Sequence, residues 1–371
     1  MPTNAAASLD RPFADLAVRP APYTAPGPGE IVLRNRAVAV NPLDVVKQSA
    51  GNVMYRWLPY PVVLGEDVAG DVVQVGDGVS RFRVGDRVLA YAVGMEKHRD
   101  HRAEGGFQLY TVVRASLSAP VPHGMTYEEA SVLPLAISTA ASALFQRDQL
   151  GLRHPGAAQP SDRQSVVVWG GSTSVGSNAI QLAAAAGYRV VATASPRNHE
   201  RARALGASDV IDYRSPTAVR DVVAALRGAD VVGVLAVGEG SAEPAVAVAA
   251  GTGAKRVSLA SPSVSFDSLR WLRPWDPRFL RLMSRLVAGN VVLQARSRSR
   301  GIRARFVWGS TLMNNEVGPM LWERFLPTAL ADGSFAASPT PHVVGDGLEQ
   351  VQPALDALRA GVSASKLVVR L

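Results

Sequence analysis

The densest chemical signal in the chain is VVVWGGSTSVG, residues 166–176, an apolar run that ends in glycines and passes into an alanine-rich stretch. Gly170, Gly171 and Gly176 stand where a buried strand would turn sharply into a helix. Glycine there allows positive φ and lets a pyrophosphate reach backbone N–H groups at the helix start. Ser172, Thr173, Ser174 and Val175 complete the cradle. The spacing Gly171-x-x-x-x-Gly176 departs from G-x-G-x-x-G, so its force comes from context: strand, tight turn, small-residue helix, second strand. No Gly-Lys-Ser/Thr follows, which excludes a Walker loop. The competing reading is a strand–helix turn with no ligand.

The end of the second apolar run bears on which dinucleotide would bind. Sites that prefer NAD place Asp or Glu there, accepting hydrogen bonds from the ribose 2′-OH. This chain reads Thr193-Ala194-Ser195-Pro196-Arg197-Asn198-His199, without an acid. Ser195 can donate to a 2′-phosphate and Arg197 can offer a charge-assisted fork, whereas a carboxylate would repel that phosphate. The pattern predicts NADPH over NADH, with His199 as a further candidate. A solvated surface charge is the alternative for Arg197.

These residues need a scaffold. The 371 residues suggest two domains, and 47% hydrophobic residues with 6% aromatics fit an aliphatic core. With no cysteine, disulfides, thiolate catalysis, iron–sulfur clusters and thiolate zinc sites are excluded. Subtracting 31 acidic from 39 basic residues leaves +8, which favours anionic partners in general. The arginines are scattered, densest at Arg270–Arg281 and Arg296–Arg305, without a basic tail, so nucleic acid is not expected. No apolar run approaches the roughly 20 residues of a membrane span. The opening MPTNAAASLDRPF lacks the pattern of a secretory signal, so the cytoplasm is the expected compartment.

The first half reads as β-rich, with strands at Ile31–Val40, Val68–Val75, after Val84-Gly85-Asp86, and at Phe107–Val113. A helical stretch, Glu128–Phe145, is interrupted at Pro134. After about residue 150 the pattern changes. A loop at His154–Gln164 leads to strands at Val166–Trp169, Tyr188–Ala194, Val210–Ile211, Val231–Val237 and Arg256–Leu259. Between them lie helices at Val175–Ala186, Arg201–Leu205 and Thr217–Leu226. Such alternation predicts a doubly wound parallel sheet covered on both faces. Residues 262–305, with WLRPWDPRF and a helical Leu280–Ala288, break the alternation. The tail returns to a helix within Pro319–Leu330, a helix at Leu348–Leu358 and a strand at Lys366–Arg370.

Four stretches carry a family likeness: Val40-Asn41-Pro42-Leu43-Asp44, Val63-Leu64-Gly65-Glu66-Asp67-Val68-Ala69-Gly70, Val84-Gly85-Asp86-Arg87-Val88 and the glycine turn. With the ending GLEQVQPALDALRAGVSASKLVVRL, they make the chain resemble the medium-chain dehydrogenase/reductase superfamily. The likeness is to its zinc-independent quinone-oxidoreductase and enoyl-reductase branch, and within that to trans-acting enoyl reductases. It spans nearly the whole length, excepting the extreme N-terminus and 262–305. It implies an α/β plus β fold: a GroES-like barrel domain from residues 1–150 plus 320–371, with an inserted Rossmann domain, a doubly wound parallel sheet, at 151–319. Substrate and nicotinamide would meet between the domains. Zinc alcohol dehydrogenases carry Gly-His-Glu where this chain has Gly65-Glu66-Asp67, so no metal is expected. His98 and His101, with Glu96 and Glu104, read as a polar surface loop.

The resemblance also implies roles. Ser195 would bind the NADPH phosphate, Tyr213 would pack beside the adenosine, Ser138 and Thr139 would lie near the nicotinamide, and Lys366 would approach the cofactor. Asn41, Asp44, Lys47, Tyr55 and Thr139 become the polar groups around the reacting carbon. Lys47 would stabilise an enolate or bind a cofactor phosphate, although it follows Asp44 by three positions where related enoyl reductases have two. Asp44 holding the backbone of its own turn is the alternative. Tyr55 and Trp57 would line an acyl or ring pocket. The implied reaction is hydride transfer from NADPH to the β-carbon of an enone or enoyl thioester, or to a quinone. An acyl carrier protein would present the thioester, facing the basic 270–305 region. The protein would be a monomer or homodimer. An NADPH-binding regulatory protein without catalysis is the remaining reading.

Overall fold

In the computed structural model, which describes residues 2–53, 55–156, 164–261 and 276–371, the chain divides between Leu135 and Ala136 and again between Val317 and Gly318. The described residues of 1–135 with 318–371 form the first unit, and those of 136–317 form the second. The first division falls earlier than residue 150. Residues 262–275, with most of WLRPWDPRF and part of the Arg270–Arg281 cluster, lie outside the described residues.

The chain opens with β1 (Asn4–Leu9) and β2 (Ala17–Ala21), then β3 (Glu30–Ala39), α1 (Pro42–Ala50), β4 (Val62–Val63), β5 (Asp67–Val75), β6 (Arg87–Tyr91), β7 (Tyr110–Arg114) and β8 (Ser118–Pro120). β1 lies between β2 and β4 in a small antiparallel sheet that sequence patterning does not reveal. Asn41 is extended, at φ −130° and ψ 158°, as the following proline requires, and Pro42 then begins α1. Glu128–Phe145 resolves into α2 (Tyr127–Ser131) and α3 (Pro134–Phe145). Pro134 opens the second helix, where its missing N–H costs nothing.

In the second unit, β9 (Gln164–Trp169), α4 (Ser174–Ala185), β10 (Arg189–Thr193), α5 (His199–Ala204), β11 (Asp209–Ile211), α6 (Ala218–Ala225), β12 (Asp230–Ala236), α7 (Ala242–Thr252), β13 (Arg256–Leu259), α8 (Pro277–Ser299) and β14 (Arg303–Phe306) alternate. All six strands run parallel in the order β11-β10-β9-β12-β13-β14. Val167, Val191 and Val234 are fully buried in its core, as strands covered on both faces demand. From β9 the chain winds outward through β10 and β11, then returns to the other side of β9 at β12. The loops after β9 and β12 therefore flank a topological switch point. α8 extends well past the predicted 280–288, and β14 adds an unpredicted sixth strand.

The tail passes through α9 (Val317–Pro319), a π-turn at Met320–Phe325 and α10 (Leu326–Ala331), where one helix was expected. β15 (Thr340–Asp346), α11 (Val351–Ala360) and β16 (Ser365–Arg370) follow. β16 pairs antiparallel with β3, placing Val368 opposite Ala39, and completes a sheet ordered β15-β16-β3-β5-β6-β8 with β7 also on β3. The tail thus belongs to the first unit. Among the described residues, no helix is long and apolar enough to cross a membrane.

Candidate functional site

The first unit buries three carboxylates, Asp44, Glu66 and Asp67, and an ammonium, Lys366, that meets one of them. Asp44, in the first turn of α1, accepts the Asn41 amide at 2.8 Å on Oδ2 and the Gly65 amide at 3.0 Å on Oδ1. It thereby fixes both sequence motifs that contain it and Gly65. Asp67, at the start of β5, accepts Asn41 Nδ2 at 2.7 Å and the Leu135 amide at 2.6 Å, and its Oδ2 meets Lys366 Nζ of β16. Lys366 Nζ also donates to the Val132 carbonyl at 3.2 Å. Lys366, expected to approach the cofactor, is thus committed to Asp67. Burial pushes the Asp44 carboxyl up to about 7; its two amide bonds oppose that shift and the Asp67 charge adds to it.

Glu66 is 1% exposed; Tyr91 Oη donates to its Oε1 at 3.3 Å, while Oε2 has no hydrogen-bond partner among the described residues. Burial first, and then the Asp44 charge, raise its carboxyl well above the usual range. In the sequence Glu66 and Asp67 stand in a family-like stretch and in place of a zinc motif, with no sign of this role; their burial depends on strand pairing that local patterning does not contain. No group of three or more His, Asp or Glu among the described residues is arranged to hold a metal ion. In the 96–104 loop, Glu104 is paired with Arg99 at 2.6 Å and the His101 ring meets the Gly94 carbonyl at 2.6 Å.

Lys47 is fully buried, and its ammonium donates to Asn52 Oδ1 at 3.1 Å, Tyr55 O at 3.2 Å and Leu58 O at 3.2 Å. It also lies 4.4 Å from the centre of the Tyr60 ring. Three protons meet three oxygens, so this ammonium is committed to the 52–60 turn. Burial lowers it to about 8. The turn carries Tyr55, buried at a left-handed φ of 50° and set edge-on to Trp57 with ring centres 5.4 Å apart. A non-glycine residue at positive φ needs its surroundings to hold it, and Lys47 grips the Tyr55 carbonyl. Burial, with the Glu66 charge second, raises the Tyr55 phenol.

In the second unit, Gly170 has φ +93°, and a Cβ there would overlap the Val237 carbonyl oxygen in the loop after β12. Gly176 packs as tightly against the Gly170 carbonyl. Thr173 locks the turn: its Oγ1 donates to Gly170 O at 2.8 Å and accepts the Gly176 amide at 3.0 Å. The Gly170 amide donates to Thr193 Oγ1 at 3.0 Å, and the Gly171 amide to Thr193 O at 2.7 Å. In the first turn of α4, the Ser174 and Val175 amides have no acceptor among the described residues. Those donors, at a helix start beside glycines that admit no side chain, fit a pyrophosphate. Thr193 was not anticipated. Nor was the second glycine turn, Gly238-Glu239-Gly240-Ser241, where Ser261 Oγ accepts the Gly238 amide at 2.8 Å. The sequence carries the same strand–glycine–helix pattern there.

Ser195, buried just past β10, accepts Asn198 Nδ2 on Oγ at 3.1 Å. Arg197 is exposed on the following turn, and the His199 ring lies 3.0 Å from the Ala194 carbonyl. Tyr213 stands exposed beyond the end of β11 with the Arg214 guanidinium over its ring. Parallel register aligns Trp169, Thr193 and Ile211, so the glycine turn, Ser195 and Tyr213 all follow neighbouring carboxyl ends of one sheet. On α3, Thr139 is nine-tenths buried against Gly309, and Ser138 Oγ is buried without a partner among the described residues.

Residues 27–123, which hold β3 to β8, match the alcohol dehydrogenase GroES-like domain family. The dehydrogenase pigH of Monascus ruber is 45% identical over 374 residues, covering 100% of both chains. The trans-enoyl reductase himH of Aspergillus japonicus is 39% identical over 344 residues, 92% of this chain and 90% of the relative. Among solved structures, an alcohol dehydrogenase superfamily protein from Novosphingobium aromaticivorans has a TM-score of 0.71 at 27% identity, covering 100% of both chains.

Proposed function

Because this chain belongs to the medium-chain dehydrogenase/reductase superfamily, as an NAD(P)H-dependent oxidoreductase of its zinc-independent quinone- and enoyl-reductase branch, we propose that it uses NADPH to reduce the C=C bond of an α,β-unsaturated carbonyl compound. The observation that carries the cofactor choice is the acid-free end of β10, with Ser195 and Arg197 beside a glycine turn whose Ser174 and Val175 amides await an anion. The amides would hold the pyrophosphate, and Ser195 and Arg197 the 2′-phosphate. A bound nicotinamide would supply the hydride that the substrate's β-carbon accepts, and water the proton for its α-carbon. The 39% likeness to a protein named a trans-enoyl reductase supports an enoyl substrate.

Carrier-bound thioester is the second reading, and α8 favours it. The helix contains no acid, while Arg281, Arg285, Arg296 and Arg298 lie along it. Leu280, Val287 and Val291 are 52%, 60% and 63% exposed on the same helix. Such a basic and apolar surface suits an acidic carrier.

The reaction is tested anaerobically with 4-deuterated NADPH and matched enones, quinones, free enoyl thioesters and carrier-bound enoyl thioesters. Deuterium at the β-carbon of a reduced product is expected; its absence from every carbon product refutes C=C reduction. A preference for carrier-bound substrate that Arg281→Glu with Arg285→Glu abolishes would favour the second reading.

Cofactor choice is tested separately. Ser195→Ala with Arg197→Ala should weaken NADPH binding by about 10- to 100-fold, the effect of losing one or two charge-assisted hydrogen bonds, and leave NADH binding within about twofold. Fluorescence titration of both nucleotides reads this out. Unchanged discrimination would remove the phosphate assignment.

A further inference from the structure

Away from all the residues discussed above as candidate cofactor or reaction groups, the first unit contains a cavity of about 320 Å³ between the Pro28–Glu30 turn, the Gly78–Arg81 turn and the corner after β7. Three arginines line it, and their bonding differs. Arg81 is fixed by carbonyls: Nη1 donates to Ala115 O at 3.0 Å, and Nη2 to Ser118 O at 3.3 Å and Trp322 O at 3.0 Å. Glu323 lies 3.9 Å from it. Arg99 is fixed by carboxylates, Glu30 at 3.0 Å and Glu104 at 2.6 Å. Glu30 also accepts the Gly27 amide at 3.0 Å.

Arg114, at the end of β7, makes no side-chain hydrogen bond or ion pair with any described residue, and neither do the hydroxyls of Ser80 and Ser116. The carboxylates of the wall therefore already have cationic partners, while one guanidinium fork and two hydroxyls do not. Ser80 is exposed and Arg114 and Ser116 are half-buried, so these donors stand at the open side of the cavity, where an incoming anion can exchange for their water. A guanidinium presents its donors in the planar geometry that carboxylate and phosphoryl oxygens match. Because Glu30 and Glu323 also face the cavity, a second negative charge on the ligand would be opposed. The volume sits at the small end of the roughly 300–1,000 Å³ of small-molecule sites.

We propose that this cavity binds a small, singly charged oxyanion, a carboxylate or a phosphoryl group, through Arg114 with Ser80 and Ser116.

The test is calorimetric titration of the full chain, with excess NADPH present to occupy the nucleotide cradle. One arm uses sodium acetate and the other inorganic phosphate near pH 6, where the monoanion is abundant. Saturable binding of one equivalent in at least one arm is expected, and the responding arm identifies the chemistry. Arg114→Ala should weaken that binding about tenfold or more, Arg114→Lys should restore part of it, and Ser80→Ala with Ser116→Ala should weaken it severalfold. NADPH oxidation and the melting temperature of Arg114→Ala should stay unchanged, since Arg114 has no partner to lose. No saturable binding in either arm, or the same affinity in all the variants, overturns the proposal. If Arg114→Ala fails to fold, the serine pair decides it by the same comparison.

Discussion

Lys366→Met lowers folding stability by about 3–5 kcal/mol, the usual result of removing one partner from a buried ion pair. Asp67 would keep the Asn41 and Leu135 hydrogen bonds but lose its cation, in a core that also holds Asp44 and Glu66. Methionine fills a similar volume, so packing contributes little to the loss. For a unit of this size the melting temperature should fall by roughly 10 °C. Adding Asp67→Asn to the lysine variant should recover part of the loss, because the stranded charge goes with it. Thermal and urea unfolding of both variants check this. A single variant melting within about 2 °C of the native protein would show that the pair is energetically idle.

Gly170→Ala abolishes nicotinamide-nucleotide binding, with affinity down by more than about 100-fold. Two independent costs fall on one methyl group. The residue sits at φ +93°, and the new carbon would overlap the Val237 carbonyl, which belongs to backbone and cannot step aside as a side chain can. Relief requires the turn to move, and the Ser174 and Val175 amides move with it. Gly171→Ala is the informative control. It has no positive φ, and its nearest neighbours are side-chain carbons of Ile180 and Ala192 at 3.0 and 3.1 Å. Its loss of affinity should be smaller by about tenfold. Nucleotide titration with circular dichroism separates binding from folding, and native affinity in Gly170→Ala would refute the cradle.

The same residues show what could be read in advance. The strand–turn–helix around Gly170 was legible because its determinants are local: an apolar run, glycines and small helix residues. α7 was not, since Ala242–Thr252 is mostly Ala and Val after its first turn and shows no periodic polar face. β15 hid for the opposite reason. Pro341 and Gly345 interrupt it, and its residues are only half-buried or exposed. Among site residues, the type of Lys47 suggested chemistry, but its three acceptors lie on a turn with no pattern of its own. The Asp67–Lys366 pair joins positions brought together only by sheet closure, which no local window contains.

That closure also sets an order of events during synthesis. β16 supplies both an interior strand of the first unit's larger sheet, between β15 and β3, and the ammonium that its acidic core requires. Every residue of the nucleotide-cradling unit is translated before β16 exists. The parallel sheet can thus mature on the ribosome while the earlier half still waits, with an open strand edge at β3 and an uncompensated carboxylate at Asp67. Such an edge is an aggregation hazard for as long as it persists. Pauses in translation between residues 318 and 365 would prolong that exposure, making the nascent chain most dependent on chaperones at its latest stage.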